Sequence, residues 1–267
     1  METSEIAAEL LATFDGRRTC APLTGRNGGL DLAAAYKVTA ELRRRRMARG
    51  ERPVGRKIGF TNRVLWDEYG VRAPIWGDMY QGTVIEPGGA EAEIALGPFN
   101  EPKIEPEIAF GLATAPEPGM DEDALLGCIS WAAQGFEIVH SIFPGWRFQP
   151  PDTVAGFGMH GAFFLGPRVP LAEQPLTRAM LENFSQTLIR DGAEAETGHA
   201  SDVLGGPLTA LSHLVDLLAD DPDNPALAPG ELVTTGSLTR AVDVAPGQIW
   251  ETRIDGLALP NLKLTLV

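Results

Sequence analysis

The chain has 267 residues, 44% of them apolar and 22% charged, which is enough for a substantial core and ordinary for a globular protein. Its formal net charge is −14, unevenly spread: residues 1–72 carry 14 Lys/Arg against 9 Asp/Glu, and residues 73–267 carry 8 against 27. That acidic body argues against nucleic acid as a partner, the two cysteines (Cys20 and Cys128) are too few for a disulfide framework or a zinc site, and no stretch approaches the roughly 20 apolar residues that cross a bilayer.

The opening METSEIAAELLATF has neither a basic n-region nor a long apolar h-region, so a cytoplasmic location is expected. Ile6, Leu10, Leu11 and Phe14 share one helical face over residues 3–14, with Thr3 or Ser4 available as a cap. After the turn-rich TGRNGG, Asp31 caps a longer helix that runs to about Arg49, buries Leu32, Ala35 or Tyr36, Val38 and Leu42, and stops at Gly50. Its basic run Arg43–Arg46 is expected to meet an acidic surface of the body or of a neighbouring subunit. Lys57 follows in a short strand-like segment between Gly55 and Gly59, where backbone or ligand can approach closely. The local pattern leaves open whether Lys57 points inward or to solvent. Residues 62–69 read as a short helix, and the APIWGDMY turn delivers Asp78.

In EPKIEPEIAFGL (101–112), Ile104, Pro106, Ile108 and Phe110 alternate with Glu105 and Glu107. That period of two is a strand, and it sends both carboxylates from one face. Two carboxylates so placed repel unless a cation lies between them, and hard oxygen donors on a stiff strand suit Mg²⁺ or Mn²⁺. Pro106 interrupts the ladder and indicates a sheet edge or a bulge. Asp121 or Asp123 then caps a helix through Leu125, Leu126, Cys128, Ile129 and Ala132 that closes at Gly135. In FEIVHSIF (136–143), Glu137 stands on an otherwise apolar strand, and its distance from Glu107 fits strand, crossover helix, strand. Neighbouring strands then bring Glu105, Glu107 and Glu137 together. His140 faces away from Glu137 and reads as a hydrogen-bonded core or surface histidine.

From residue 153 onward strands are expected to dominate, interrupted by a helix over 202–221 with an apolar face at Leu208, Leu211, Leu214 and Leu217–Leu218. The segments 231–244, QIWETRI and LKLTLV read as closing strands. Thr234, Thr235, Gly236 and Ser237 form a hydroxyl-rich turn that can offer backbone N–H donors to an anion. No repeat, low-complexity stretch or linker divides the chain.

Together, GRKIGFT (55–61), PIWGDMY (74–80), EPKIEPEIAFGL (101–112), GFEIVHS (135–141), VLGGPLTAL (203–211) and LVTTGS (232–237) resemble the 2-keto-4-pentenoate hydratase and 2-oxo-3-enedioate decarboxylase branch of the fumarylacetoacetate hydrolase superfamily, over roughly residues 30–267. The resemblance implies an α+β fold: a mixed β-sheet roll with flanking helices. Residues 1–52 would form a helical segment packed on a catalytic unit spanning 53–267. It also implies a homo-oligomer and a divalent cation, Mg²⁺ or Mn²⁺, on Glu105, Glu107 and Glu137. Lys57 maps onto the family's active-site lysine and Asp78 onto its neighbouring acid; Thr235, Gly236 and Ser237, in the hydroxyl-rich turn, are the candidate substrate-binding residues. Where the family usually shows an Ala-Asp-Asn-Ala-Ser run, this chain has Ala155-Gly156-Phe157-Gly158-Met159, and His160 is the candidate polar substitute facing substrate.

The activity implied is hydration of a 2-hydroxy-2,4-dienoate in catabolism of the aromatic meta-cleavage type. The alternatives are a 2-oxo-3-enedioate decarboxylase or another enzyme cleaving a C–C bond of a 2-oxo acid, and a non-catalytic subunit that stabilises a partner enzyme of the same pathway. A hydrolase of this superfamily would need a His–Glu pair on an N-terminal lid, and the first 60 residues contain no histidine.

Overall fold

The structure is a computed structural model that describes residues 2–63 and 66–267. Its helices are α1 (Thr3–Asp15), α2 (Leu32–Ala48), α3 (Trp66–Tyr69), α4 (Glu122–Gly127), α5 (Pro150–Ala155), α6 (Arg178–Glu182) and α7 (Pro207–Ala219). The first eight strands are β1 (Pro53–Gly59), β2 (Ile75–Tyr80), β3 (Val84–Ile85), β4 (Glu91–Ile94), β5 (Lys103–Leu112), β6 (Ile129–Val139), β7 (His160–Leu165) and β8 (Val169–Pro170). The rest are β9 (Ser185–Arg190), β10 (Ala193–His199), β11 (Leu232–Ser237), β12 (Val242–Asp243), β13 (Ile249–Asp255) and β14 (Lys263–Leu266).

Nine strands build one mixed sheet in the order β2-β1-β11-β5-β6-β7-β3, with β12 added to β5 and β8 to β6. Five more form a second sheet, β10-β9-β13-β14-β4. The architecture is α+β, as expected. Ile104, Phe136, Ile138 and Phe164 of the large sheet pack against Leu188, Trp250, Leu264 and Leu266 of the small one. Helix α7 buries Leu208, Leu211 and Leu214 in a cluster with Ile58, Ile108, Phe110 and Val233. Both layers hold the middle of the large sheet rigid, and the carboxylates stand there.

Helix α2 matches its sequence signals: Asp31 accepts from the Ala34 N–H at 2.8 Å, and Ala35, Val38 and Leu42 are buried. Leu32 instead lies exposed. Helix α1 is capped by Glu2 with Glu5 rather than by Thr3 or Ser4. Ile6, Leu10, Val38 and Leu42 share a core cluster with Ile142, Phe143 and Val154, so the first two helices rest on the body. Of the helix expected over 62–69, Trp66–Tyr69 is observed, and residues 64 and 65 lie outside the described residues.

Several expectations need correction. The helix after Asp121 ends at Gly127, and Ile129–Val139 is an 11-residue strand. Strands β5 and β6 are therefore antiparallel neighbours and not a parallel pair joined by a crossover. Most of β6 is buried on both faces, which produces a near-continuous apolar run with no period to separate strand from helix. The region after 150 is less strand-rich than expected. Pro150 and Pro151 start α5, and Thr177 caps α6 through the Met180 N–H. Thr234–Ser237 is strand rather than turn. Pro106 lies in a central strand, and the ladder between β5 and β11 shifts register between Thr234 and Ser237, so the bulge reading holds and the edge reading does not.

Candidate metal and catalytic site

Alternation along β5 buries Ile104 and Ile108 and sends Glu105 and Glu107 to the other face. The β5/β6 register sets Glu137 opposite Glu105, and Gly135 opposite Glu107. One oxygen from each of Glu105, Glu107 and Glu137 lies within 4.8 Å of the others. Glycine at 135 is required because a Cβ there would stand 2.0 Å from the ring of Phe163, the register partner of Glu137 on β7. Lys57 arrives from β1, 4% exposed, with Nζ 3.2 Å from Glu137 Oε2, and donates a hydrogen bond to the Gly158 carbonyl at 3.1 Å. Gly158 is the middle of three successive left-handed residues: Phe157 at φ 63°, Gly158 at 62° and Met159 at 60°.

Charge in this cluster is unbalanced. Burial raises the Glu105 carboxyl to about 7, with Lys57 opposing and Glu137 reinforcing the rise. Burial and the Glu137 charge push Glu107 well above the usual carboxylate range. Burial also disfavours an ionised Glu137, but Lys57 and the His160 hydrogen bond outweigh it and hold its carboxyl low. For Lys57, burial pulls down while Glu137, Glu105 and Glu107 together push up, and the net direction is upward. Three carboxylates thus face one ammonium. Glu107 Oε1, fully buried, has no hydrogen-bond partner, and Glu137 Oε2 has an ion-pair neighbour but no aligned hydrogen bond. Unpartnered buried carboxylate oxygens in an all-oxygen donor set fit a hard divalent cation.

A cleft of about 270 Å³ opens onto Lys57, Glu105 and Glu107, and its outer wall includes Lys103, Trp146 and Arg240. Ser237 lines the cleft. Other candidates sit elsewhere. The Thr235 hydroxyl donates to the Ile108 carbonyl at 3.0 Å, and the Gly236 N–H donates to Glu107 Oε2 at 3.0 Å, so both positions support the site from within. His160 does not face the cleft: Nδ1 is 2.8 Å from Glu137 Oε1, and Nε2 is 2.8 Å from the Thr83 hydroxyl.

Asp78 is not beside Lys57. It lies opposite Arg56 in the β1/β2 register and pairs with Arg56 at 3.0 Å and Arg43 at 2.5 Å. Adjacent residues of a strand point to opposite faces, so a carboxylate that meets Arg56 cannot meet Lys57. The carboxylate beside the lysine is Glu137. Of the Arg43–Arg46 run, Arg43 reaches the body at Asp78, Arg44 and Arg45 pair with Glu41, and Arg46 pairs with Glu51. His140 is a buried core histidine between the rings of Phe14 and Phe99, accepting the Asn100 N–H at 3.4 Å, and burial lowers it to about 4.

Three features escaped sequence reasoning. The Gly158 carbonyl is a backbone atom with no side-chain signal. Thr83 is an ordinary turn residue until His160 reaches it. Lys103 was legible, because it shares the parity of Glu105 and Glu107 on one strand.

A central β-roll, a buried carboxylate triad and an adjoining lysine define a metal-dependent enzyme of the fumarylacetoacetate hydrolase superfamily. Solved structures agree: 4-oxalocrotonate decarboxylase from Pseudomonas putida G7, complexed with magnesium and adipate, superposes at a TM-score of 0.90 with 25% identity, covering 99% of this chain and 97% of that one. Fumarylpyruvate hydrolase from Pseudomonas aeruginosa, with Mn²⁺ and pyruvate, shares the fold at a TM-score of 0.58 and 15% identity, covering 81% of this chain and 90% of that one. No protein-family model matches the chain. Among curated relatives, 2-keto-4-pentenoate hydratase 1 of Dechloromonas aromatica is 34% identical, covering 96% of this chain and 94% of its own. The 2-hydroxyhexa-2,4-dienoate hydratase of Comamonas testosteroni is 31% identical over 93% and 92%. A 4-oxalocrotonate decarboxylase of Pseudomonas sp. is also 31% identical, covering 92% of each chain. The chain belongs to the 2-keto-4-pentenoate hydratase and 4-oxalocrotonate decarboxylase family, and it is a lyase that uses a divalent cation.

Proposed function

We propose that this lyase hydrates a 2-hydroxy-2,4-dienoate, with Glu105, Glu107 and Glu137 as the metal ligands and Lys57 as the catalytic acid–base residue. The observation that carries the reading is the convergence of three carboxylates beside one buried lysine, with Glu105, Glu107 and Lys57 lining a cleft. A divalent cation held there supplies Lewis acidity to the carboxylate and carbonyl oxygens of a 2-oxo acid. In the reaction, a proton leaves the 2-hydroxyl while carbon 5 takes one up, giving the 2-oxo-3-enoate. Water then adds its hydroxyl at carbon 4 and a proton at carbon 3. Lys57, kept charged by three carboxylates and held by the Gly158 carbonyl, is placed to hold the substrate carboxylate or to serve the proton at carbon 3. Apolar Val139, Ile75 and Met159 line the cleft and limit bulk water around the conjugated chain.

A second reading has a specific observation in its favour. Lys103 and Arg240 line the same cleft, two of only eight Lys/Arg in residues 73–267, and they suit a second carboxylate at the far end of a 2-oxo-3-enedioate. Decarboxylation would break the bond to that carboxylate and pass its electron pair through the conjugated chain to the oxygen on carbon 2. The test is an assay of the purified protein with Mg²⁺ or Mn²⁺ against a panel of 2-oxo acids, following ultraviolet loss of the dienol and release of carbon dioxide separately. Dienol loss without carbon dioxide supports the hydratase; carbon dioxide from an enedioate supports the decarboxylase; neither signal with any acid defeats both.

Residues 1–52 would then serve as a helical appendage on the catalytic unit 53–267. A cytoplasmic location and a homo-oligomer, alone or with a partner enzyme of the same pathway, complete the proposal. Among the described residues no helix is long and apolar enough to cross a membrane, which fits that setting. A monomer by light scattering would remove the oligomer from it.

A further inference from the structure

The two fully buried carboxylates are each tied at one oxygen only. Glu107 gives Oε2 to the Gly236 N–H and leaves Oε1 without a partner. Glu137 gives Oε1 to His160 Nδ1 and turns Oε2 toward the site, where it has no aligned hydrogen bond. An ionised carboxylate only accepts, so the His160 ring must donate from Nδ1. The other ring nitrogen is fixed at 2.8 Å by the Thr83 hydroxyl, and Thr83 is itself held in its turn by the Tyr80 carbonyl at 3.0 Å and the Tyr80 N–H at 3.2 Å. His160 is 2% exposed and is not among the residues that line the cleft.

From this we infer that His160 and Thr83 are positioning residues that hold Glu137 as a one-oxygen ligand, and that they thereby set which cation the site prefers. The inference rests on the metal-site reading above. Mg²⁺ and Mn²⁺ suit compact six-coordinate sites in which each carboxylate contributes one oxygen, whereas Ca²⁺ takes six to eight oxygens and often both from one carboxylate. A Glu137 whose second oxygen is committed to an imidazole cannot offer both.

Calorimetric titration of the metal-free protein with Mn²⁺ and with Ca²⁺ tests the inference. Thr83→Val preserves shape and removes the hydroxyl. His160→Leu removes both nitrogens, and His160→Asn restores an amide donor near the Nδ1 position. Loss of an outer-shell partner typically costs about 10–100-fold in metal affinity. The expected result is an Mn²⁺ affinity reduced by that factor in His160→Leu and by less in Thr83→Val, a smaller loss for Ca²⁺, and recovery of most of the Mn²⁺ preference in His160→Asn. Should His160→Leu not fold, the Thr83→Val and His160→Asn pair carries the test. A folded His160→Leu, or in its absence a folded Thr83→Val, whose Mn²⁺ to Ca²⁺ ratio stays within threefold of the parent overturns the inference. Glu107→Gln separates the two ideas: if it abolishes Mn²⁺ binding while the clamp variants change nothing, the metal site stands and only the clamp fails. If the parent binds no Mn²⁺, both fail together.

Discussion

Two buried charge clusters flank β1, one on each face, and they differ in arithmetic. On one face Asp78 meets Arg56 and Arg43, and Arg56 also lies 3.6 Å from Glu231. On the other, three glutamates face Lys57, and two of their oxygens lack hydrogen-bond partners. The first cluster is balanced in charge within the chain. The second, once its carboxyls ionise, carries excess negative charge in a buried place, which a fold sustains only where a further cation belongs. Burial of charge therefore does not mark the active site by itself; imbalance does.

The most severe way to break the contrast is Lys57→Met, which keeps the stem and removes the buried ammonium 3.2 Å from Glu137. Turnover is expected to fall by about 10²–10⁴, the typical worth of a positioned acid–base group. Metal affinity should hold or rise, because one repelling charge has gone. Steady-state kinetics and Mn²⁺ titration check this, and turnover within threefold of the parent would make Lys57 a scaffold residue.

Asp78→Asn tests the balanced side. Removing one partner leaves Arg56 buried with only Glu231 at a distance, and the expected cost is about 3 kcal/mol of stability. Urea unfolding measures that, while turnover of the folded enzyme should stay within threefold of the parent. A selective loss of turnover at full stability would return Asp78 to the catalytic machinery.

Glu107→Gln sharpens the unbalanced side from within. Metal affinity should drop by more than the roughly 100-fold upper range of an outer-shell change, since a direct ligand is lost. At a pH high enough to ionise Glu107, the metal-free variant should melt higher than the metal-free parent, because a buried like-charge repulsion is relieved. An unchanged Mn²⁺ isotherm would be incompatible with Glu107 as a ligand.

The smallest effect is a pH dependence. Glu105 titrates near 7 in the folded chain against an ordinary 4.5, so the folded state holds its proton more tightly than the unfolded state. Its contribution to stability is fully present below pH 4.5 and is lost as pH rises through about 7. The metal-free parent should lose stability relative to Glu105→Gln across that window, and saturating Mn²⁺ should abolish the difference. Parallel melting curves for the two proteins would contradict the assignment.

Much of this site was readable before any coordinates. Alternation in EPKIEPEIAFGL fixed the common face of Glu105 and Glu107, because strand parity is a local property. The partnership with Glu137 was right although its reason was wrong, since an antiparallel register and not a crossover joins β5 to β6. Asp78 was misplaced for a related cause: parity assigns faces within one strand, but only the β1/β2 register says which face of the next strand matches. The sequence marks Thr235 and Gly236 as donors for an anion, but it does not reveal that the hydroxyl and the N–H are already committed to Ile108 and Glu107. The length of β6 was obscured because a strand buried on both faces loses its period.

The seat of Lys57 has a bearing on how such chains diverge. Its hydrogen-bond acceptor is the main-chain oxygen of Gly158, presented by a left-handed turn at Phe157–Met159. A main-chain oxygen is common to all twenty amino acids, so the lysine's anchorage depends on the path of the backbone and not on the letters along it. Polar side chains in this segment can be exchanged during evolution while the anchorage persists. The limit is set by conformation: Gly158 has left-handed torsions and a Cβ there would come within 3.2 Å of the Lys57 stem, so this glycine is the one letter in the turn that drift cannot readily rewrite.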